Sequence, residues 1–140
     1  MSKISELINQ ALKEDSTIYA SVSFGNIFNQ NAQLINSETG VDCKGSEIII
    51  TSYDVAHILK RHGNNKLELE RGQIGVDEKD FELIKDIIFN YDNVERGKDL
   101  RNAKSIVFSK RIIVYYKLIV SVEGKLPNKK MVVKTLFKKP

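Results

Sequence analysis

A single cysteine, Cys43, stands among the 140 residues, so no disulfide can form within the chain. That suits a reducing compartment, or indifference to redox state. No CxxC or CxxH spacing occurs, which removes the usual framework of a structural zinc site, and no HExxH run is present. No stretch approaches the roughly 18 apolar residues that a membrane span requires. The opening residues Met1-Ser2-Lys3-Ile4-Ser5-Glu6 are charged and amphipathic and lack the apolar centre of a secretory signal. The expectation is a cytoplasmic protein without membrane contact. Internal repeats and low-complexity tracts are also missing. What remains is ordinary globular material, 41% apolar and 29% charged, enough for one domain with a real core.

Charge is modest in sum and uneven in place. The net value is +4, yet residues 1–99 carry −6 and residues 100–140 carry +10. A basic last third on an acidic body points to a surface facing a polyanion. Lysines that merely solubilise a strand-rich tail would give the same numbers.

Hydrophobic periodicity predicts a helix over residues 2–15, capped by Ser2 or Ser5, with Ile4, Leu7, Ile8, Ala11 and Leu12 on one stripe. Residues 17–24 read as a strand ending at Gly25. Residues 32–37 read as a short helix stopped by Gly40, and 46–51 as a short extended segment. A second main helix starts at Thr51 or Ser52, where Thr51 and Asp54 have capping-box spacing, and stops at Gly63. Residues 64–75 read as a loop. Asp77, with Asp80 three residues on, caps a third helix that buries Phe81, Ile84, Ile87 and Ile88. Residues 90–102 are turn-rich. Strands follow over 104–108 and 112–122, joined by Ser109-Lys110-Arg111, and a turn over 124–128 leads to a strand over 130–138. Helices first and sheet last make an α+β fold, N-terminal helices packed on a C-terminal antiparallel sheet.

Both histidines of the chain lie in His57-Ile58-Leu59-Lys60-Arg61-His62-Gly63. His57 and Arg61 stand one turn apart on one face, with Asp54 beside them. His62 instead continues the apolar stripe of Val55, Ile58 and Leu59. Its ordinary roles are a hydrogen-bonded core residue or a last-turn cation, and that of His57 is a solvated residue. The chemical reading is acid–base work, because imidazole titrates near neutrality. Metal-free RNA cleavage needs a base for the ribose 2′-OH, an acid for the leaving 5′ oxygen and cations at the phosphate. Arg61 or Lys60 suits the last role, and Thr135 in the basic final strand can donate to a phosphate oxygen. The five-residue spacing turns the two rings about 140° apart, which disfavours a shared metal ion. Of Tyr115 and Tyr116, alternation sends one into the core.

The run Leu34-Ile35-Asn36, Thr39-Gly40-Val41-Asp42, Ile48-Ile49 and the histidine heptad resembles the phage-associated Barnase–EndoU–colicin–RelE-like (PBECR) nuclease domains. Gln73-Ile74, Asp80-Phe81, Asn90-Tyr91-Asp92-Asn93-Val94, Ile106-Val107-Phe108 and the terminal Lys134-Thr135-Leu136-Phe137-Lys138-Lys139 fit as well. One departure is Asn90-Tyr91-Asp92 where the family has Asn-Pro-Asp. The resemblance spans about residues 33–139, so residues 1–32 read as an N-terminal extension and 33–140 as the nuclease domain. It implies helices before a four-stranded antiparallel sheet, RNA-cleaving relatives without metal or other cofactor, and a toxin-like, phage or mobile-element origin. Carried over, His57, Arg61, His62 and Thr135 are catalytic, and Lys60 and Lys134 contact phosphate; Lys138 and Tyr116 are added as candidate substrate-binding residues. The implied partners are RNA, tRNA included, and a cognate immunity or antitoxin protein; oligomeric state is left open. A non-catalytic nucleic-acid-binding domain, or a phage structural or interaction domain, is the alternative on the same fold.

Overall fold

The computed structural model describes residues 3–11, 20–100 and 103–140. Its elements in chain order are α1 (Lys3–Ala11), β1 (Ser21–Asn26), α2 (Asn29–Thr39), β2 (Glu47–Thr51), α3 (Ser52–His62), α4 (Asn65–Glu70), α5 (Glu78–Phe81), α6 (Ile84–Phe89), β3 (Asn93–Arg96), β4 (Lys104–Ile112), β5 (Val114–Glu123) and β6 (Lys130–Lys139). The strands form one sheet in the order β1-β2-β6-β5-β4-β3. All neighbours are antiparallel except β2 and β6, which run parallel from Glu47↔Lys130 to Ile49↔Val132.

The α+β class is as expected, but the sheet has six strands and one parallel pair rather than four antiparallel strands. The run Ile48-Ile49-Ile50 supplies the parallel strand: Ile48 and Ile50 are fully buried, and β6 gives them a partner on the inner side. β2 pairs with only the first residues of β6. Past it the chain turns into α3, which packs along the rest of β6.

Alternation along β5 sorts the two faces of the sheet. Tyr116, Leu118 and Val120 are buried in the core, while Tyr115, Lys117 and Ile119 between them are half-buried. On the core side α6 packs on β4 and β5, and α1 buries Ile4, Leu7 and Ile8 against α3 and its neighbours. Leu12 of the predicted first stripe, like residues 17–19 of the predicted strand, lies outside the described residues. β1 continues through Gly25 to Asn26.

Local chemistry accounts for the helix ends. Thr51 Oγ1 accepts from the Asp54 backbone N–H (3.1 Å) and donates to Asp54 Oδ2 (2.8 Å). Asp77 and Asp80 form a complete capping box. Gly40 ends α2 in the left-handed region (φ 74°), its N–H donating to Asn36 O at 2.8 Å. Four segments differ from the sequence reading. The supposed loop over 64–75 contains α4, capped by the Asn64 side chain on Leu67 N. The third helix is broken in two between Phe81 and Ile84. Residues 93–96 form an edge strand inside the turn-rich stretch. Ser109-Lys110-Arg111 continue β4, and the hairpin reverses at Ile113, which takes a φ of 63°.

Candidate active site

A groove of about 850 Å³ opens between the N-terminal half of α3, the end of β5, the middle of β6, and the stretch leading into β4. α3 contributes Tyr53, Asp54 and His57, three positions that one and a bit turns of helix bring to one wall. β5 contributes Ser121 and Glu123, and β6 contributes Lys134 and Thr135. Asp99, Leu100 and Ala103 close the opposite side.

Lys134 reaches this groove because of a β-bulge. Val120 pairs with Val133 and Ile119 with Thr135, so Lys134 is the extra, unpaired residue of β6. In a regular strand Lys134 and Thr135 would point to opposite faces; the bulge re-aims the lysine so that both line the groove. Thr135 pairs with Ile119 and therefore shares the half-exposed face with Ser121 and Glu123.

The groove is not simply cationic. Lys134 Nζ lies 3.4 Å from Glu123 Oε2 and 3.8 Å from Asp54 Oδ1. Glu123 also accepts from Ser121 Oγ. Asp54 is only 3% exposed. Its burial raises the carboxyl pKa above the usual range, the Thr51 hydroxyl and Lys134 pulling the other way and Glu123 adding to the rise. An anion entering here would compete with two carboxylates for Lys134.

The sequence-predicted residues divide into three places. His57, Lys134 and Thr135 share the groove. Arg61, one turn beyond His57 on α3, and Lys60 are exposed and do not line it. His62, Lys138 and Tyr116 are elsewhere. His62 is 6% exposed, its ring stacked on Phe137 of β6 with centroids 5.5 Å apart. Its Nδ1 lies 3.0 Å from Oε2 of Glu68, a fully buried carboxylate whose other oxygen accepts from Arg71 Nη1 at 2.8 Å. The same Arg71 nitrogen donates to the Arg61 carbonyl, which ties α4 to the end of α3.

Tyr116 and Lys138 face one another across β5 and β6 on the core side. The Tyr116 hydroxyl donates to Asp80 Oδ1 at 2.6 Å, and Lys138 Nζ lies 2.8 Å from Asp80 Oδ2. Burial, then the bond to Asp80, pushes the phenol pKa well up. These two side chains pin α5 to the sheet and offer no stacking surface to the groove. Sequence reasoning missed Glu68, hidden in a presumed loop, and Glu123 and Ser121, which strand alternation alone could have paired with Thr135. Among the described residues, no group of three or more His, Cys, Asp or Glu side chains is placed to hold a metal ion, and no helix is long and apolar enough to cross a membrane.

No curated protein and no solved structure matches the chain. One family model does, that of PBECR3, described as phage-Barnase-EndoU-ColicinE5/D-RelE like nuclease3, and it matches residues 25–140. That stretch runs from the end of β1 to the C-terminus and contains every groove residue named above. The chain therefore belongs to the PBECR3 family of nucleases, with a helix-and-sheet fold consistent with it.

Proposed function

We propose that the protein is a metal-independent endoribonuclease that cleaves RNA by attack of the ribose 2′-OH, with His57 as the proton-transfer group. The supporting observation is that His57, Lys134 and Thr135, about 77 residues apart in the chain, line one groove. In this scheme His57 takes the 2′-OH proton as the oxygen attacks phosphorus. The leaving 5′ oxygen takes its proton from a second acid of the same groove, which Asp54 lines. Lys134 and the Thr135 hydroxyl face the phosphate and offset its added charge. Arg61 extends the cationic edge along α3. We assign His62 a scaffolding role, since its ring is buried against Phe137 and held by Glu68. A toxin-like role opposed by a cognate immunity protein belongs to the same reading.

The test is cleavage of RNA by the purified protein in EDTA, with a 2′,3′-cyclic phosphate as product. His57→Ala should lower the rate by about 10²–10⁴-fold, the usual worth of a positioned proton-transfer group. Undiminished cleavage by that variant, or cleavage that stops when EDTA is added, contradicts the proposal.

A further inference from the structure

Five of the eleven cations in the basic last third of the chain face carboxylates within the fold. Lys110 faces Asp92, Lys129 faces Asp42, Lys130 faces Glu47, Lys134 faces Asp54 and Glu123, and Lys138 faces Asp80. The cations at the β4–β5 hairpin end do not, and neither, among the described residues, do Lys104 and Lys125; those at the hairpin stand out because they cluster around one aromatic ring. Among the described residues, Arg111, Lys117 and Lys139 have no carboxylate within ion-pair distance of their side chains. Asp92 takes the Arg111 backbone N–H, while the guanidinium lies 3.5 Å from the Ile113 carbonyl. Two of these cations bracket one aromatic ring: the Arg111 guanidinium carbon is 5.9 Å, and Lys139 Nζ 5.4 Å, from the centroid of Tyr115.

The tip beyond that ring is equally unusual. Ile113 is 96% exposed and sits at φ 63°, where a β-branched residue is strained. Glycine or asparagine would make the turn more easily, and burial gives no reason for an isoleucine here. An exposed apolar wedge beside cations and an aromatic ring fits the space between unstacked bases.

These groups lie on the same face of the sheet as the groove. Tyr115, Lys117, Ile119 and Ser121 alternate onto one face of β5, and Phe137 and Lys139 pair beside Lys117 and Tyr115 on β6. Six residues of strand separate Ser121 from Tyr115, about 20 Å at the rise of a β-strand. A ligand touching both ends must be extended, and on the ribonuclease reading it is an oligonucleotide.

We propose that this face is a track for single-stranded RNA that runs from the groove to the hairpin, where Arg111 and Lys139 hold phosphates, Tyr115 stacks a base and Ile113 wedges beside it. The proposal rests on the ribonuclease reading and adds to it a strand path and a preference for unpaired RNA. Unpaired bases are required because only they expose a face to Tyr115.

The experiment measures binding of a short labelled single-stranded RNA by the full chain carrying His57→Ala, across a salt series. Tyr115→Ala in that background should weaken binding roughly fivefold to hundredfold, the usual worth of one stacked base. Arg111→Gln with Lys139→Gln should reduce the slope of log Kd against log salt by about 1.4, two phosphate contacts at about 0.7 each. Ile113→Gly relieves the left-handed strain, so it should melt no lower than its parent while binding RNA several-fold more weakly. That variant keeps the test valid if Tyr115→Ala folds poorly. Unchanged binding by Ile113→Gly and by the double cation variant overturns the track, as does a parent that binds only duplexes or only a protein. Cleavage by the unmutated chain is scored separately. RNA binding that depends on the hairpin without any cleavage leaves the track standing and removes the nuclease reading; cleavage indifferent to the hairpin does the reverse.

Discussion

Removing the Glu68 carboxylate probes whether His62 belongs to the scaffold or to the reaction. In Glu68→Ala the His62 Nδ1–H loses its acceptor at 3.0 Å in a place only 6% exposed. An orphaned buried donor costs about 1–3 kcal/mol. Arg71 also loses a partner, but its side chain is 47% exposed and turns to water, so this part is worth at most about 1 kcal/mol. The backbone bonds through Glu68, from Arg71 N and Gln73 N to its carbonyl, are untouched by the change. The expected loss is therefore about 1–4 kcal/mol, which in a chain of this size lowers Tm by roughly 3–15 °C. The double variant His62→Phe with Glu68→Leu removes both polar partners and keeps an aromatic ring against Phe137. It should regain most of that loss, because replacing a buried pair with apolar groups is often neutral. Thermal and urea melts of the two variants and the parent measure this. A Glu68→Ala loss below about 1 kcal/mol, or a double variant less stable than the single one, refutes the account of the pair. Activity adds a second reading. With His62 in the scaffold, the folded double variant keeps RNA cleavage within about tenfold of the parent; a far larger loss of rate at unchanged stability would place His62 in the chemistry.

Two further expectations concern the groove. Thr135→Val should lower the cleavage rate about tenfold to a thousandfold with little change in Tm, because it deletes a hydroxyl donor and keeps the shape, and Thr135→Ser should restore most of the rate; equal rates for all three proteins would remove Thr135 from the phosphate. The raised pKa of Asp54 fixes a sign for its contribution to stability. Folding favours its protonated form, so the contribution is fully present below the ordinary carboxylate value near 3.9 and is lost as pH rises through the raised value. The stability of the parent relative to Asp54→Asn should then fall across that window and level off above it, as read by melts at a series of pH values. A relative stability that climbs with pH would mean that attraction to Lys134 outweighs burial.

Much of the fold was legible because its signals are local. Capping by Thr51 with Asp54 and by Asp77 with Asp80, and the buried stripes of α3 and β5, follow from residues within a few positions of one another. The misreadings have equally local causes. Ser109-Lys110-Arg111 looks like a turn, but Ser109 is buried in the sheet and Lys110 reaches back to the Asn90 carbonyl at 2.6 Å. Nothing about an isoleucine announces the positive φ that turns the hairpin at Ile113. β3 is four residues long and buries Val94 alone, too little for a pattern to register. α4 shows no apolar buried stripe because its leucines, Leu67 and Leu69, are exposed and the side chain it buries is the Glu68 carboxylate. The parallel pairing of β2 with β6 joins segments about 80 residues apart, which no periodicity encodes.

The candidate site was legible only up to the point where strand and helix must meet. A five-residue spacing on a helix already separates His57 from His62 by about 140°, so the two rings cannot both serve one small groove from a straight α3. The apolar stripe then decides which ring goes inward: His62 follows Val55 and Ile58 and ends against Phe137, and His57 is left on the open wall. What the heptad could not reveal is the partner of His57, because Lys134 and Thr135 stand next to each other in sequence and a regular strand would send them to opposite faces. One extra residue between Val133 and Thr135 cancels that alternation. The bulge, invisible in composition and spacing alike, is what turns the middle of a basic strand into a groove wall carrying a cation and a hydroxyl together.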